Sequence, residues 1–319
     1  MQTVTVGIPV FNEDKYLANT IESVLKQTYI DIKVIISDNC STDSSYDIVQ
    51  KYASEDSRIE HIRHSKNIGA TNNFKYTLDM CTTNYFMWLG AHDTLEKDFI
   101  RSATEILNNE NNVVLTYPKS ILIDVKGNII DKFFYDDIDS SGLSLEKRLF
   151  KIATNLNNCF AIHGLFRANL LRKINLSNTK SADHTLLFCV SSHGDIRLID
   201  SYGLRCRKVR DEEEANQTLQ RLIDVGIDLN KDSLLPQHTP MVTEHLECIW
   251  KKEDILLITK LKLSVGIQKI FLTRFGVTWL AILSQNHQFF KYAYLFDRQI
   301  KFITARFRTL IKSILFKES

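Results

Sequence analysis

The first ninety residues alternate short apolar runs with segments of helical periodicity, and this alternation constrains the fold more than any other feature. The apolar runs that predict strands lie at 3–10, 32–38, 58–64 and 85–89. Between the first two runs, Leu17, Ile21 and Val24 stand at helical spacing. Strands that alternate with helices form βαβ units. The sequence therefore predicts a largely parallel α/β sheet with functional groups at the carboxyl ends of its strands.

The alternation continues less regularly to about residue 200. Two further strands are predicted at 113–124 and 125–134, on either side of a Lys-Gly-Asn turn near 127, and another at 195–200. Helices are predicted near 97–109 and 144–155. From about residue 211 the pattern is helical. A chain of 319 residues has ample material for one large domain with a helical appendage.

Composition and motifs exclude several classes of protein. The six cysteines, at 40, 81, 159, 189, 206 and 248, form no CxxC pair, which is typical of reduced thiols in a cytosolic protein. The start MQTVTVGIPV lacks the features of a secretion signal, and no run of 18 apolar residues is present. Neither GxGxxG nor GxxxxGK[ST] occurs, so a dinucleotide enzyme and a P-loop NTPase are not supported.

The formal charge of +2 conceals a basic tail on an acidic body. Residues 255–319 hold eleven Lys or Arg against two acidic residues, a charge of +9, so the remainder sums to −7. Within 289–316, apolar residues recur in steps of four and three beside basic ones. This pattern predicts an amphipathic helix on an anionic membrane. A heptad seam against protein is the alternative, and the acidic body weighs against nucleic acid.

Polar residues follow the first two apolar runs, where strands are expected to end. The second run ends at Asp38, whose carboxylate can accept the N3–H of uracil, bond a ribose, or merely cap the next helix. Further on, Asn67 and Gly69 suit a tight turn that brings backbone close to a nucleotide, although Asn-x-Gly is also a common loop sequence. The first run leads into Pro9, Phe11, Asn12 and Glu13.

In order and spacing these pieces resemble the family 2 glycosyltransferases of the GT-A fold. The matching pieces are Pro9, Phe11, Asn12 and Glu13, then SVLKQT at 23–28, then Asp38, Ser41, Thr42 and Asp43, then Asn67 and Gly69, and last an apolar strand that ends in an acidic motif. The resemblance covers about residues 3–200. It implies a nucleotide-sugar donor, held by these residues and by Ala91, His92 and Asp93.

The resemblance also implies a domain plan. A Rossmann-like GT-A domain with a mixed, mainly parallel sheet is expected at 1–210, with a donor half at about 1–110 and an acceptor half at about 111–210. A helical C-terminal region with the basic tail is expected at 211–319.

Two departures from the family pattern stand at strand ends. The family's paired acid after the second strand is Ser37-Asp38 here, and its Asp-x-Asp-Asp is Gly90-Ala91-His92-Asp93. His92 therefore takes the place of the metal-binding aspartate. His92 and Asp93 can still hold a divalent cation on the donor diphosphate, with Mn²⁺ favoured over Mg²⁺ because imidazole suits it better. A protonated His92 acting without metal, or a His92 with no role, are the alternatives.

The resemblance implies that Asp183 is the catalytic base, because an inverting transfer needs a carboxylate to take the acceptor's proton. An N-terminal helix cap is the alternative for this residue. His163, Arg167 and His184 are expected on the acceptor side.

The run RCRKVR predicts a mobile basic loop after the strand at 195–200. Its residues Arg207, Lys208 and Arg210 can close over a diphosphate, and a solvated charge run is the alternative. The Gln-x-x-Arg-Trp signature of processive synthases is absent, which favours the addition of one sugar per encounter.

The resulting hypothesis is an inverting hexosyl- or N-acetylhexosaminyltransferase that uses a UDP-sugar. It acts on a glycan or lipid-linked acceptor of a surface polysaccharide such as lipopolysaccharide or capsule. It is expected in the cytoplasm, peripherally on the inner face of the cell membrane. A catalytically idle glycan-binding or partner-binding protein of the same fold and a nucleotidyltransferase are the rival hypotheses.

Overall fold

The computed structural model describes residues 2–176, 179, 181–209 and 239–275. The strands are β1 (Val4–Val10), β2 (Ile32–Asp38), β3 (Ile59–Arg63), β4 (Tyr85–Trp88), β5 (Thr94–Leu95), β6 (Val113–Ile123), β7 (Ile129–Phe134), β8 (Leu165–Arg167) and β9 (Asp195–Arg207). The helices are α1 (Leu17–Leu25), α2 (Ser45–Glu55), α3 (Ala70–Asp79), α4 (Phe99–Asn109), α5 (Leu145–Asn155), α6 (Ala168–Leu171), α7 (Ala182–Ser191), α8 (Thr239–Lys251) and α9 (Leu257–Phe275). A short 3-10 helix spans Phe160–His163.

One mixed sheet organises the described residues. Its strand order is β3-β2-β1-β4-β8-β6-β9-β5, with β7 paired to β6. Strands β3, β2, β1 and β4 are mutually parallel, while β8 pairs antiparallel with both β4 and β6. The predicted α/β class and the strands at 3–10, 32–38, 58–64 and 85–89 are therefore confirmed to within one or two residues at their ends.

The central strands are apolar on both faces because helices cover both sides of the sheet. Every residue of β1 is buried, as is every residue of β2 except Lys33. Continuous apolar runs are typical of such parallel strands, so their positions could be predicted from the sequence. The helix α1 buries Leu17, Ile21 and Val24 against this sheet.

The strand predicted at 195–200 is longer than expected. It continues as β9 to Arg207 and pairs in parallel with β6, with Arg207 beside Ile123. Arg205 and Arg207 thus belong to a strand, and their prediction as part of a mobile loop is wrong. The reason is the edge of β6, which extends far enough to pair with the whole RCR segment.

Helices α8 and α9 pack onto the second half of the sheet domain. Their buried residues, including Leu246, Leu263 and Phe271, share one hydrophobic cluster with Leu149 of α5 and Phe188 of α7. None of the described helices combines the length and apolar character that crossing a bilayer requires. Arg210 and the predicted amphipathic segment 289–316 lie outside the described residues.

Candidate active site

The loops after β1 and β2 form the floor of the candidate site and lock each other in place. Asn12 adopts a left-handed conformation with φ 55°, and its side-chain Oδ1 accepts the backbone N–H of Thr42 at 2.8 Å. In return, the backbone N–H of Asn12 donates to Ser41 Oγ at 3.0 Å, and that of Glu13 donates to Ser45 Oγ at 2.8 Å. Asn12 is therefore a positioning residue, while Pro9 is buried within β1 and Phe11 is half-buried after it.

Asp38 ends β2 with its carboxylate completely buried. One oxygen, Oδ2, accepts the N–H of Ser41 at 3.2 Å and lies 3.5 Å from Arg63 Nε. The other, Oδ1, is buried without a hydrogen-bond partner in the described part of the chain. A buried carboxylate oxygen is costly to leave unpaired, so Oδ1 requires a donor from a ligand or a water.

The buried amide of Asn39, next to Asp38, connects the end of β2 to the exposed Asn67. Asn39 Nδ2 donates to Asn67 Oδ1, and the backbone N–H of Ile68 donates to Asn39 Oδ1, each at 2.8 Å. Gly69 follows with φ 85°, a conformation that favours glycine, and donates its N–H to Asn67 Oδ1. The predicted Asn67–Gly69 turn thus sits beside the end of β2, held there by Asn39.

Ser37 explains how the chain tolerates the loss of an acid at that position. Its hydroxyl donates to Asn73 Oδ1 at 2.6 Å and contacts His64 Nε2 at 2.9 Å. The Asn73 Nδ2 also donates to the Ser37 carbonyl at 3.0 Å. A second carboxylate at Ser37 would be fully buried against the oxygen of Asn73, which is unfavourable.

His92 and Asp93 lie in the turn between β4 and β5. His92 Nδ1 is 2.9 Å from Glu13 Oε1, so Glu13, from the loop after β1, orients the imidazole. Asp93 is buried, and its main chain is fixed by Thr20, whose hydroxyl donates to the carbonyls of Ala91 and Asp93 at 2.9 and 2.8 Å.

The side chains of both candidate ligands lie close to Gly90, on the side where a Cβ would stand. A Cβ at this position would lie 2.7 Å from Asp93 Oδ2 and 3.7 Å from His92 Nε2. The leading aspartate of the family motif is glycine here, and the structure gives a physical reason: no side chain fits at position 90 while Asp93 keeps its position. Asp93 Oδ2 and His92 Nε2 therefore lie on the same side of Gly90, one oxygen and one nitrogen of the kinds that bind divalent cations.

Arg207 is placed beside this turn but its contacts are with protein. Its backbone N–H donates to Asp93 Oδ1 at 2.8 Å, and its guanidinium donates to the carbonyls of His92 and Asp124 at 3.2 and 2.9 Å. The guanidinium also lies 4.6 Å from the centre of the Tyr16 ring. Lys208 follows, with its N–H on the Ile123 carbonyl at 2.8 Å.

The acceptor-side candidates reach the same place through His163. Its Nδ1 donates to the Trp88 carbonyl at 3.1 Å, and its Nε2 lies 3.8 Å from Asp93 Oδ2, an ion pair when the ring is protonated. Asp183, in the first turn of α7, lies close enough to His163 to feel its charge. Asp93 and Asp183, from separate segments of the sequence, therefore both lie in the neighbourhood of His163.

Asp183 is exposed by surface area, although protein atoms surround it at longer range. Both observations fit a carboxylate that faces a crevice. Desolvation raises the pKa of Asp183, and the charge of His163 acts in the opposite direction. No side-chain capping bond is present at the start of α7, where Ser181 is the N-cap residue. The helix-cap alternative for Asp183 thus has no hydrogen bond in its support.

One predicted acceptor-side residue is not brought to this site. Arg167 lies beside Tyr85 at the start of β4, the opposite end of the sheet, and donates to the carbonyls of Leu107, Glu110 and Val113. Its prediction as a lining residue is wrong, because a guanidinium that satisfies the end of α4 is held there. His184 follows Asp183 in the first turn of α7; burial lowers the pKa of His245 of α8, and the charge of His184 acts in the same direction.

Sequence reasoning missed several residues of the site. Asn73 and Tyr16 were not expected to take part, and Arg63 was not expected to pair with Asp38. The roles of the buried asparagine side chains become clear only from the loops to which they hydrogen-bond, because an asparagine in a polar loop is not part of a helix or strand pattern in the sequence.

A family model described as Glycosyl transferase family 2 matches residues 5–174. The chain belongs to this family. It is 30% identical to TuaG of Bacillus subtilis (strain 168), whose name assigns it to teichuronic acid biosynthesis, over 132 residues, which cover 41% of this chain and 52% of TuaG. It is 31% identical to chondroitin synthase of Escherichia coli over 128 residues, 40% of this chain and 18% of that protein. The chain thus spans about half of one relative and less than a fifth of the other.

The fold agrees with the family assignment. The structure is similar to S. aureus TarS 1-349 in complex with UDP-GlcNAc, with a TM-score of 0.61 and 13% sequence identity, over 85% of this chain and 73% of that chain. The family 2 resemblance and the GT-A fold predicted from the sequence are both confirmed.

Proposed function

We propose that this protein is an inverting glycosyltransferase that moves a sugar from a UDP-sugar to a hydroxyl of a glycan or lipid-linked acceptor. The observation that carries the proposal is the buried, unpartnered Oδ1 of Asp38 at the carboxyl end of β2. Ligands of open α/β sheets bind at this edge, and a ligand N–H would satisfy the oxygen. Uracil supplies such a donor at N3, whereas cytosine presents an acceptor at the same position. TarS, a protein of the same fold, has been solved with UDP and with UDP-GlcNAc.

The donor diphosphate lies, in this proposal, over the turn that carries His92 and Asp93. A divalent cation there would offset the negative charge that the diphosphate gains as the sugar leaves. The described residues contain no group of three or more ligating side chains, so the protein would supply two ligands and the diphosphate would contribute others. Asp93 Oδ2 and His92 Nε2 lie on the same side of Gly90, which supports this arrangement, and the imidazole of His92 favours Mn²⁺ over Mg²⁺.

Asp183 acts as the base of the transfer. The acceptor hydroxyl gives its proton to the carboxylate while its oxygen bonds to the anomeric carbon. The bond between that carbon and the diphosphate oxygen breaks on the opposite face, and the configuration inverts. The exposure of Asp183 leaves it open to an acceptor, and His163, which lies 3.8 Å from Asp93, is near enough for its charge to act on Asp183.

The product is a bacterial surface polysaccharide in this proposal. The name of TuaG supports a cell-envelope glycan, and lipopolysaccharide and capsule belong to the same class of product. Transfer of a hexosyl or N-acetylhexosaminyl unit, one per encounter, on the cytoplasmic face of the membrane completes the proposed role.

Donor turnover tests the proposal without knowledge of the acceptor, because water can replace a hydroxyl. UDP release is measured from UDP-glucose, UDP-galactose and UDP-GlcNAc, with Mn²⁺, for the wild type, Asp183→Asn and the control Asp79→Asn. Asp79 is an exposed carboxylate paired with Lys75 on α3.

We expect UDP release that falls at least a hundredfold in Asp183→Asn and stays unchanged in the control. UDP binding without turnover, in the presence of cell-envelope acceptors, would favour the catalytically idle alternative. Pyrophosphate release from a nucleoside triphosphate would favour a nucleotidyltransferase.

A further inference from the structure

We propose that the outward face of α9 is a docking surface for an anionic lipid bilayer. Ile258, Val265 and Leu272 stand seven residues apart on this helix and are 66%, 62% and 48% exposed. Leu256 and Leu257, at its start, are 74% and 56% exposed. Five of the eleven large hydrophobic residues that are exposed in the described part of the chain thus lie in one short segment. A cluster of this kind marks an interaction surface. We call these five residues the α9 stripe.

Packing of the opposite face fixes the orientation of α9, so the α9 stripe faces outward. The opposite face buries Leu263, Ile267 and Phe271 in the cluster shared with α5 and α7. Gly266 lies against the ring of Phe150, and an added Cβ there would overlap that ring. Rotation of α9 to bury the stripe would therefore break the close approach of α9 to α5.

Hydrogen bonds at both ends of the helix reinforce this orientation. Near the start, Lys260 Nζ donates to the Trp250 carbonyl at 3.0 Å, and in the middle of the helix Trp250 Nε1 donates to Ser264 Oγ at 3.0 Å. Near the end, Arg274 donates to the carbonyl of Leu156 at 3.0 Å. A helix that is apolar on two faces, with one face locked inward, is expected to have its second face covered as well.

The charge of α9 selects the partner. Residues 257–275 contain four basic residues and no acidic one. Lys262 and Lys269 follow Ile258 and Val265 by four positions, so they lie on the same side of the helix as the stripe. The side chain of Lys262 is 66% exposed although it pairs with Glu146 at 2.8 Å, and Lys269 is exposed. Exposed apolar residues flanked by lysine are typical of helices that lie in the interface of an anionic bilayer.

A second copy of the chain fits this surface less well. Two α9 stripes in contact would bring Lys269 of both copies together, with no acidic residue on α9 to pair with it, while Lys262 already pairs with Glu146. Lipid phosphates supply the missing negative charge. The inference is independent of the donor chemistry, and it concerns a different segment from the predicted amphipathic helix at 289–316.

Vesicle flotation of the full chain tests the inference. The vesicles are pure phosphatidylcholine or phosphatidylcholine with phosphatidylglycerol. The variant that removes the apolar face is Ile258→Gln/Val265→Gln/Leu272→Gln. Its matched control changes three residues of similar exposure elsewhere, Ile30→Gln/Val125→Gln/Ile130→Gln, which are 74%, 49% and 49% exposed. A third variant, Lys262→Gln/Lys269→Gln, removes charge alone.

We expect the wild type to float with anionic vesicles and to bind neutral ones at least tenfold more weakly. The α9 apolar variant loses at least tenfold in partitioning, the lysine variant loses severalfold, and the exposed-residue control changes less than twofold. UDP titration of each variant gives wild-type affinity, which separates this inference from the proposed function. Circular dichroism confirms that the variants are folded.

Partitioning of the α9 variant within twofold of the wild type would overturn the inference and assign vesicle binding to other segments. Equal binding to neutral and anionic vesicles would remove the role of charge. A dimer in light scattering that the α9 variant converts to monomer, with no effect on vesicles, would make the stripe a contact between copies of the chain.

Discussion

Asp93 and Arg207 are joined by a hydrogen bond of 2.8 Å between positions 114 residues apart, the carboxylate accepting the backbone N–H of the arginine. The bond places the end of β9 against the turn that carries the candidate metal ligands. The guanidinium of Arg207 extends the contact to His92, Asp124 and Tyr16. The second half of the domain thus fixes the geometry of the donor site, which the first hundred residues otherwise build.

Replacement of Arg207 by alanine tests the guanidinium's share of this role, because the backbone N–H donated to Asp93 remains in the variant. Loss of its partly buried hydrogen bonds and of the contact with Tyr16 is expected to lower the free energy of unfolding by about 1–3 kcal/mol. Arg205→Ala removes only a half-exposed ion pair with Glu96 and is expected to cost less than about 1 kcal/mol. Urea denaturation measures both. Equal losses in the two variants would contradict the structural role of Arg207.

Asn12 is expected to act through backbone conformation and through Thr42. Asn12→Ala loses the acceptor for the Thr42 N–H and places a side chain with little tolerance for φ 55° in that conformation. We expect a loss of about 1–2 kcal/mol in stability and three- to tenfold weaker UDP binding. Asn12→Asp keeps an acceptor at the same place and should recover most of the UDP affinity. Failure of aspartate to do better than alanine would show that the contact with Thr42 is unimportant.

The candidate metal site predicts that UDP affinity depends on a divalent cation and on both Gly90 and His92. UDP affinity is expected to rise at least tenfold with Mn²⁺ relative to EDTA, and more than with Mg²⁺. Gly90→Ala and His92→Ala should abolish most of this gain, the first because its Cβ would lie 2.7 Å from Asp93 Oδ2. Calorimetric titration with each metal measures the effect. Metal-independent binding that falls in His92→Ala would assign the charge stabilisation to the protonated imidazole instead.

The raised pKa of Asp183 predicts an acidic limb in the rate of UDP release. A base works in its ionised form, so the rate falls as pH decreases through the pKa of Asp183, which lies above the ordinary 3.8. We expect Asp183→Glu to keep such a limb at a lower rate, and His184→Asn to leave the profile of the wild type unchanged. A pH profile of the wild type that is flat down to pH 4 would contradict the assignment.

The same shift has a consequence for stability, with the opposite sign. The folded chain holds the proton of Asp183 to higher pH than the unfolded chain does, so folding takes up a proton between the two pKa values. The contribution of this group to stability is therefore present at low pH and decreases as pH rises through that window. Asp183→Asn is accordingly expected to be at least as stable as the wild type at pH 7, so its loss of activity cannot come from unfolding.

Local pattern predicted the donor half well because its strands are apolar on both faces and end in polar turns. Asp38 and Asn12 could be placed from their positions after β2 and β1. Arg207 could not, since RCRKVR read locally is a basic run, and only its pairing with β6 makes it a strand. Arg167 was misplaced for a similar reason, because the three carbonyls that hold it belong to residues more than fifty positions away.

Asp38 is proposed to accept the N3–H of the uracil of a UDP donor. Titration with UDP and with CDP, which compares the two affinities, is the measurement that bears on this contact. In Asp38→Asn the side-chain oxygen is expected to keep the N–H of Ser41, which Oδ2 accepts at 3.2 Å, and the new NH₂ then takes the place of Oδ1. Two donors would face each other at uracil N3, whereas cytosine N3 would accept.

We predict that the wild type binds UDP at least tenfold more tightly than CDP, because one hydrogen bond contributes about 1–3 kcal/mol of discrimination. Asp38→Asn should abolish or reverse this preference, and the control Asp79→Asn should retain it. A wild type that does not distinguish the two nucleotides, or a preference that survives in Asp38→Asn, would contradict the assignment of Asp38 and with it the proposed donor.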